Sequence, residues 1–175
     1  MPHNLLLTGW PGVGKTTVIR RTLDLLPPLR RSGFTTAEIR SPQGRLGFHA
    51  TTLDGREIVL AHREWRSSYR VGTYGVDVAA FEREIVPALE AGRPMDLFVV
   101  DEIGKMECFS PAFRAAVLRL LEDPRPLLGT IALRGPAFVE AVRGRPDVKL
   151  VEVTFASREG LPALLAARLR EWLAV

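Results

Sequence analysis

Residues 9–16 have the types and the spacing of a phosphate-binding loop. Their sequence, Gly-Trp-Pro-Gly-Val-Gly-Lys-Thr, matches the pattern G-x-x-x-x-G-K-[ST] at every fixed position. Backbone N–H groups of a glycine-rich loop can turn towards an anion because no Cβ obstructs them. We predict that a triphosphate binds here, with the Lys15 ammonium on its β- and γ-phosphates and the Thr16 hydroxyl on Mg²⁺. The predicted phosphate-binding residues are Gly9, Trp10, Pro11, Gly12, Val13, Gly14, Lys15, Thr16 and Thr17.

Two adjacent carboxylates, Asp101 and Glu102, follow a second apolar run. If that run is a parallel strand, its carboxyl end opens onto the same crevice as the phosphate loop. We predict that Asp101 holds Mg²⁺, directly or through water, and that Glu102 is the general base for the attacking water. Lys105 either contacts the γ-phosphate as a catalytic cation or pairs with Glu102, and Glu107 is an alternative base. Because acids also occur at strand ends without any chemistry, this interpretation depends on the phosphate loop upstream.

Strand and helix patterns that surround these motifs predict an α/β fold. From residue 96 onwards strands and helices alternate, which favours right-handed crossovers and a mainly parallel sheet flanked by helices. The predicted strands are 5–7, 34–40, 45–53, 56–62, 96–101, 127–133 and 148–153. The predicted helices are 15–26, 77–92 with Asp77 as N-cap and Pro87 as a bend or early end, 111–121 after the N-cap Ser110, 136–143, and 157–173 with Ser157 as N-cap.

A hairpin is predicted between residues 45 and 62. Its two β-like runs flank Asp54-Gly55, which is a strong hairpin signal. We expect this insertion either to add an antiparallel edge to the sheet or to project as a flap. Residues 63–76 that follow are polar, and we predict a loop there.

Length and composition indicate one globular domain over residues 1–175. Cys108 is the single cysteine, so no intramolecular disulfide is possible, and we interpret it as a small apolar residue. The first residues lack the pattern of a secretory leader, and no run approaches the length of a membrane span. We expect a cytoplasmic protein without membrane contacts, and a monomer.

A net charge of +4 and a pI of about 9.8 raise the question of a nucleic-acid partner. The basic residues are nearly all arginine and are dispersed along the chain, with doublets only at 20–21 and 30–31. Dispersed arginine is typical of a solvated, ion-paired surface. We therefore do not expect nucleic acid as a partner.

Five stretches, in their order along the chain, resemble the THEP-type nucleoside-triphosphatase family. The resemblance covers nearly the whole chain, and its most specific mark is the stretch 101–107, Asp-Glu-Ile-Gly-Lys-Met-Glu. The five stretches are residues 9–17, 33–40, 45–48, 74–76 and 101–107.

The resemblance implies a small P-loop NTPase of the RecA-like branch. Such a protein would hydrolyse ATP, GTP and other nucleoside triphosphates to the diphosphate and phosphate, with Mg²⁺ and little base selectivity. In that family the phosphate loop and the stretch 97–104 form the nucleotide site. This stretch adds Leu97, Phe98, Val99, Val100, Asp101, Glu102, Ile103 and Gly104 to the predicted nucleotide-binding residues.

Weak base selectivity also has support from the residues themselves. No N-K-x-D or T-K-x-D element that recognises guanine is present, since the three lysines lie in other contexts. Tyr69, Tyr74 and Trp65 either stack on any base or serve as packing and lid residues.

The sequence leaves open which arginine acts on the γ-phosphate and which class of nucleotide-binding protein this is. Phosphoryl transfer benefits from a cation on the γ-phosphate, and Arg40, Arg45 and Arg134 are candidates among which the sequence does not choose. A nucleotide or nucleoside kinase has the same loop and size, with the hairpin at 45–62 as a candidate acceptor-binding insertion. A nucleotide-gated or nucleic-acid-binding module is a third interpretation, motivated by the basic pI and the resemblance to the RecA-like branch.

Overall fold

The computed structural model describes residues 3–90 and 92–174, and the strands within them form one sheet. Residues 1, 2, 91 and 175 of the predicted domain lie outside the described residues. The strands are β1 (Asn4–Thr8), β2 (Arg31–Ser41), β3 (Gly44–Thr52), β4 (Glu57–His62), β5 (Arg70–Val71), β6 (Tyr74–Val76), β7 (Leu97–Ile103), β8 (Leu127–Ile131) and β9 (Val148–Glu152). The helices are α1 (Lys15–Asp24), α2 (Val78–Ala80), α3 (Pro111–Glu122), α4 (Ala137–Arg143) and α5 (Leu161–Leu173).

The sheet has a parallel half and an antiparallel half, in the order β5-β6-β4-β3-β2-β7-β8-β1-β9. Strands β2, β7, β8, β1 and β9 are parallel neighbours, as the alternation of strands and helices predicts. The hairpin of β3 and β4 pairs antiparallel with β2, so it extends the sheet and does not project as a flap. The predicted α/β fold with an antiparallel insertion is confirmed.

The antiparallel half is larger than predicted, because the expected loop at 63–76 contains β5 and β6. Strand β6 pairs with β4, and β5 pairs with β6. The prediction of a loop was wrong for these residues because strands of two and three residues are too short to show an alternating pattern.

Side chains of the parallel strands alternate between two cores, one on each face of the sheet, because successive residues of a strand point to opposite faces. Leu5 and Leu7 belong to the core that α1 and α5 cover, whereas Leu6 belongs to the core that α3 and α4 cover. Three aromatic rings with centroids 5.4 to 6.2 Å apart fill part of the second core. They are Phe34, Phe81 and Phe113.

Two helix starts follow their predicted N-caps. Asp77 and Ser110 each accept a hydrogen bond from a first-turn N–H at 2.9 Å. After Asp77 the chain forms α2, a π-helix over Phe81–Ile85 and a 3-10 helix over Val86–Leu89. Pro87 lies in that last turn, where its missing N–H prevents a regular α-helix, so the helix ends early as predicted.

The predicted N-cap of the last helix, Ser157, was wrong. Helix α5 begins at Leu161, with Pro162 in its first turn. Ser157 exchanges hydrogen bonds of 3.0 to 3.1 Å with Thr154 and closes a turn before the helix. A serine that closes a turn carries the same local signal as a serine that caps a helix. Residues 154–160 therefore form a loop after β9.

Strands β2 and β7 approach closely at Gly33, whose register partner is Val99. A Cβ built on Gly33 would lie 1.8 Å from the Val99 carbonyl oxygen, and the residue has a φ of +129°. Only glycine allows this approach. The position matters for the site because β7 ends in Asp101 and Glu102.

Arginine side chains pair with carboxylates on the surface. Arg21 and Arg30 lie 2.6 Å from Glu159 and Asp96, respectively. Such exposed pairs agree with the predicted ion-paired surface, although each contributes little to stability. Over residues 3–90 and 92–174, no helix is long and apolar enough to cross a membrane.

Candidate active site

The phosphate loop lies between β1 and α1, at the carboxyl edge of the parallel strands. Gly14 is the N-cap of α1 and has a left-handed φ of +105°. A Cβ on Gly9 would lie 2.6 Å from the carbonyl oxygen of Val153, so the loop packs tightly against the chain after β9. Lys15 Nζ donates hydrogen bonds to the carbonyls of Gly9 at 3.0 Å and Trp10 at 3.3 Å. The ammonium is therefore held against the loop at the N-terminus of α1.

Asp101 is almost fully buried near the end of β7 and is hydrogen-bonded to two threonines. Thr16 donates to its Oδ2 at 2.8 Å, and Thr130 donates to its Oδ1 at 2.6 Å. Burial raises the pKa of Asp101, and the two threonine hydrogen bonds and one from the Thr36 backbone oppose that rise. One carboxylate thus joins α1, β7 and β8.

Two more carboxylates, of Glu102 and Glu107, converge on Gly104. A Cβ built on Gly104 would lie 2.5 Å from Glu102 Oε1 and 2.9 Å from Glu107 Oε2. Burial and then the charge of Asp101 raise the pKa of Glu102, while the Lys15 ammonium lowers it. Burial and then the charge of Glu102 raise the pKa of Glu107 well above its ordinary value. Three acids this close together favour a bound cation or a retained proton.

A cleft of about 720 Å³ connects the phosphate loop with these acids and with the antiparallel half of the sheet. This volume is in the usual range for a small-molecule site. The predicted site residues that line the cleft are Gly9, Pro11, Gly12, Gly14, Lys15, Thr16, Thr17, Glu102 and Lys105. The two sequence motifs therefore share one cavity.

Other predicted site residues support the cleft from the core. The side chains that are at most 2 % exposed belong to Val13, Leu97, Phe98, Val99, Val100, Asp101 and Ile103. Trp10 is 71 % exposed, and its carbonyl group contacts Lys15. Within the described part of the chain, Lys105 forms no ion pair with Glu102, so that predicted alternative is not observed. Cys108 is buried, as predicted, and burial and then the charge of Glu107 raise the pKa of its thiol to about 12.

The three candidate arginines differ in their surroundings. Arg40 does not line the cleft and pairs with Glu38 on the surface. Arg45 lines the cleft, but its guanidinium donates to Glu38 at 2.8 Å and to the Tyr74 hydroxyl at 2.9 Å. Arg134 also lines the cleft. Its guanidinium forms no hydrogen bond or ion pair with the residues that the structure describes.

The three candidate stacking residues separate in the same way. Tyr74 lines the cleft. Tyr69 packs on Phe109 with ring centroids 5.3 Å apart, and Trp65 packs on His62 at 5.9 Å. Tyr69 and Trp65 are therefore packing residues outside the cleft.

Comparisons with known proteins agree with this geometry. A family model described as NTPase matches residues 4–165. Nucleoside-triphosphatase THEP1 of Natranaerobius thermophilus is 42 % identical over an alignment of 175 residues. The alignment covers 97 % of this chain and 98 % of that protein. The chain belongs to the THEP1 family of NTPases.

Solved structures of the THEP1 family show the same architecture. The crystal structure of THEP1 from the hyperthermophile Aquifex aeolicus has a TM-score of 0.87 and 34 % sequence identity, over 95 % of this chain and 98 % of that chain. The solution structure of a human cancer-related nucleoside triphosphatase has a TM-score of 0.79 and 35 % identity, over 98 % of both chains. The family resemblance found in the sequence is confirmed.

An exposed aromatic platform in this THEP1-family chain lies beside the phosphate loop and was missed by the sequence analysis. Phe155 is 71 % exposed, and the Arg158 guanidinium lies 5.0 Å from its ring centroid. Arg158 also donates to the Val13 carbonyl at 3.4 Å, which ties the loop 154–160 to the phosphate loop. No motif marks these residues, because the contact joins positions 145 residues apart.

Thr130 and Arg20 were missed as well. Arg20 lies on α1 one turn beyond Thr16 and lines the cleft. Thr130 is the single polar side chain in the buried strand Leu-Leu-Gly-Thr-Ile, which was the one available signal. A polar residue in such a strand is paired with another buried polar group.

We predict that Thr130→Val destabilises the folded protein, because the buried Asp101 carboxylate loses a hydrogen-bond donor. A hydrogen bond to a charged group contributes about 1.5–3 kcal/mol, and denaturant unfolding at neutral pH should show a loss of that size. Thr130→Ser keeps the hydroxyl and is the matched control. Equal stability of the valine and serine variants would show that Asp101 does not need this donor.

Proposed function

We propose that the protein is a Mg²⁺-dependent nucleoside triphosphatase that releases phosphate from ATP, GTP and other nucleoside triphosphates with little selection of the base. The observation that carries the proposal is the 2.8 Å hydrogen bond between Thr16 and Asp101. It connects the helix after the phosphate loop with the acid pair of β7 beside the cleft that Thr16 and Glu102 line. The names of the relatives, nucleoside-triphosphatase THEP1 and human cancer-related nucleoside triphosphatase, support the same activity.

The phosphate loop supplies most of the affinity for the triphosphate. Free N–H groups at the N-terminus of α1 and the helix dipole attract the anion. Lys15 Nζ, which donates to two backbone carbonyls, exchanges them for phosphate oxygens because a charge-assisted hydrogen bond is stronger than one to a neutral acceptor.

The hydroxyl of Thr16 and the carboxylate of Asp101 suit Mg²⁺. This ion prefers oxygen ligands and is usually held by one or two carboxylates together with substrate phosphates. A nearby cation would also offset the burial that raises the pKa of Asp101. When bound, Mg²⁺ neutralises charge on the β- and γ-phosphates.

Glu102 is the proposed general base. Both Glu102 and Glu107 line the cleft, but Glu102 is partly exposed, whereas Glu107 is only 5 % exposed. Burial and the neighbouring charge of Asp101 raise the pKa of Glu102, which makes the carboxylate a better base near neutral pH. Glu102 takes a proton from water while the water oxygen bonds to the γ-phosphorus and the bond to the bridging oxygen breaks.

Arg134 is the proposed cation for the transition state. It follows β8, which lies between the acid-bearing β7 and the loop-bearing β1. Arg134 lines the cleft, and its guanidinium has no hydrogen-bond or ion-pair partner among the described residues, whereas Arg45 is already paired with Glu38. All of these groups come from one chain, so the proposed site is complete in a monomer.

The nucleoside part of the bound triphosphate extends from the phosphate loop towards β9. Strand β8 and the acid-bearing strand β7 lie on one side of β1, and β9 lies on the other side. The loop 154–160 follows β9 and offers Phe155, which Arg158 holds beside the phosphate loop. An aromatic ring stacks on any base, since every base has a π-face, and this supports weak base selectivity.

Phosphate release from ATP, GTP, CTP and UTP with Mg²⁺ tests the proposed activity. The wild-type protein should hydrolyse all four. Glu102→Gln should still bind nucleotide but lose about 10²–10⁴-fold in kcat, because it lacks the base. Lys15→Ala should lower kcat and also weaken nucleotide binding. Omission of Mg²⁺ should abolish turnover. Normal turnover by Glu102→Gln would exclude Glu102 as the base.

Arg134→Ala should lower kcat by about 10³-fold, the lower bound for a transition-state arginine, with a smaller effect on KM. Arg40→Ala is the matched control, because it removes an arginine that does not line the cleft. Steady-state kinetics of both variants decide the assignment. Similar kcat values for the two variants would contradict the proposed role of Arg134.

Phe155→Ala should raise KM for all four triphosphates by about tenfold, as expected for a lost stacking contact. Leu164→Ala is the control, because Leu164 is similarly exposed at 67 % but lies on α5. An unchanged KM in Phe155→Ala, or a change for one base alone, would show that this ring is not a general base platform.

A further inference from the structure

The cleft extends past the acids of β7, and the following inference rests on the proposed function. The cleft has a volume of about 720 Å³. Part of this space holds the triphosphate. The lining continues past Glu102, however, to side chains of β2, β3, β4 and β6.

The strand order shows which side of the triphosphate this extra space occupies. Strand β7 lies between β8 and β2, and β1 lies beyond β8. A triphosphate on the loop after β1 therefore directs its γ-phosphate towards the acids of β7. The wall formed by β2, β3, β4 and β6 lies beyond those acids. This is the side from which a nucleophile approaches in line with the leaving group.

This wall combines a polar pair with aromatic and apolar surfaces. Arg45 donates to Glu38 Oε1 at 2.8 Å and to Tyr74 Oη at 2.9 Å. Its guanidinium lies 5.0 Å from the ring centroid of Phe48 and 5.4 Å from that of Tyr74. Leu60 adds an apolar side chain. A few fixed polar groups within an apolar lining are typical of a small-molecule subsite.

The charges of the wall favour a neutral ligand. Partial burial of Glu38 opposes its ionisation, but hydrogen bonds from Arg45 and Arg40 hold the pKa of Glu38 below its ordinary value. Arg45 and Glu38 are therefore both charged and paired with each other. A ligand hydroxyl can donate to the carboxylate and accept from the guanidinium, whereas an anion would be repelled by Glu38.

We propose that this wall binds a nucleoside, an uncharged heterocycle that carries hydroxyl groups, and that the protein transfers the γ-phosphate to it. A hydroxyl oxygen of the nucleoside bonds to the γ-phosphorus while the bond from that phosphorus to the β,γ-bridging oxygen breaks. The nucleoside diphosphate leaves with the bridging oxygen and its electron pair, and the hydroxyl proton passes to Glu102. Hydrolysis is the same reaction with water as the nucleophile.

The test uses ATP labelled on its γ-phosphate, Mg²⁺ and the full chain. Adenosine, guanosine, cytidine, uridine and thymidine are added one at a time. Labelled phosphate, ADP and labelled nucleoside monophosphate are then measured separately. With at least one nucleoside we expect a labelled monophosphate, more ADP than free phosphate, and ADP formation about tenfold faster, because a positioned nucleophile reacts faster than water.

A matched pair of variants tests the location of the subsite. Tyr74→Phe removes the hydroxyl that accepts from Arg45 and should lower the ratio of transfer to hydrolysis about two- to tenfold, the effect of one hydrogen bond. It should also raise the nucleoside concentration needed for half-maximal transfer. Tyr69→Phe removes a tyrosine hydroxyl outside the cleft and should leave the ratio of transfer to hydrolysis unchanged. Equal ratios in the two variants would contradict the location at Tyr74.

The products distinguish failure of this inference from failure of the proposed function. Equal amounts of ADP and phosphate with every nucleoside would overturn the transfer and leave the triphosphatase intact. Competition of nucleosides with ATP, without a labelled monophosphate, would also overturn it, because the wall would then hold the nucleoside of the substrate itself. An absence of ADP under all conditions would overturn the proposed function together with the inference.

Discussion

Parallel pairing of β8 with both β1 and β7 is the constraint on which the rest of the site depends. It brings the loop after β1 and the acids of β7 to one edge of the sheet. The 2.8 Å hydrogen bond from Thr16 to Asp101 spans that edge, and Thr130 of β8 completes it. Close packing of the strands requires glycine at positions 33 and 129, where a Cβ would lie 1.8 and 2.3 Å from carbonyl oxygens of β7. Residues without any chemistry of their own therefore set the distance between phosphate loop and acids.

What the sequence predicts well is encoded within a few consecutive residues. The phosphate loop, the Asp101–Glu102 pair and the hairpin around Asp54-Gly55 are local patterns, and the parallel sheet follows from their alternation with helices. Contacts between distant positions have no such pattern, which is why Phe155 and Thr130 needed the structure, as did the choice among Arg40, Arg45 and Arg134. Local signals can also be ambiguous. Ser157 closes a turn and does not cap a helix, because a serine hydroxyl can form hydrogen bonds with the backbone of a turn as well as with the start of a helix. The two shortest strands, β5 and β6, are set by their partner β4 and not by their own residues.

The two halves of the sheet have separate tasks under the functions proposed here. The parallel half holds the phosphates and the groups that act on them. The antiparallel half carries Arg45, Phe48 and Tyr74, which lie beyond the acids and determine what can approach the γ-phosphate. A phosphoryl-transfer site discriminates between water and a larger nucleophile mainly by position and by exclusion of water. Under these proposals, hydrolysis and transfer differ in whether water or a nucleoside is the nucleophile, and Glu102 accepts the proton in both.

The buried acids couple this chemistry to cations. Asp101, Glu102 and Glu107 all have raised pKa values, with burial as the first cause, and each ionised carboxylate opposes the next. A triphosphate adds further negative charge to the same cleft. Its binding is favourable only where cations compensate, and the cationic side chains that line the cleft are Lys15, Arg20, Arg45, Lys105 and Arg134. In the proposed function, a divalent cation held by Thr16 and Asp101 would add to this compensation. In that function the metal would favour the bound nucleotide and the ionised carboxylates together, so the affinity for nucleotide would depend on the metal.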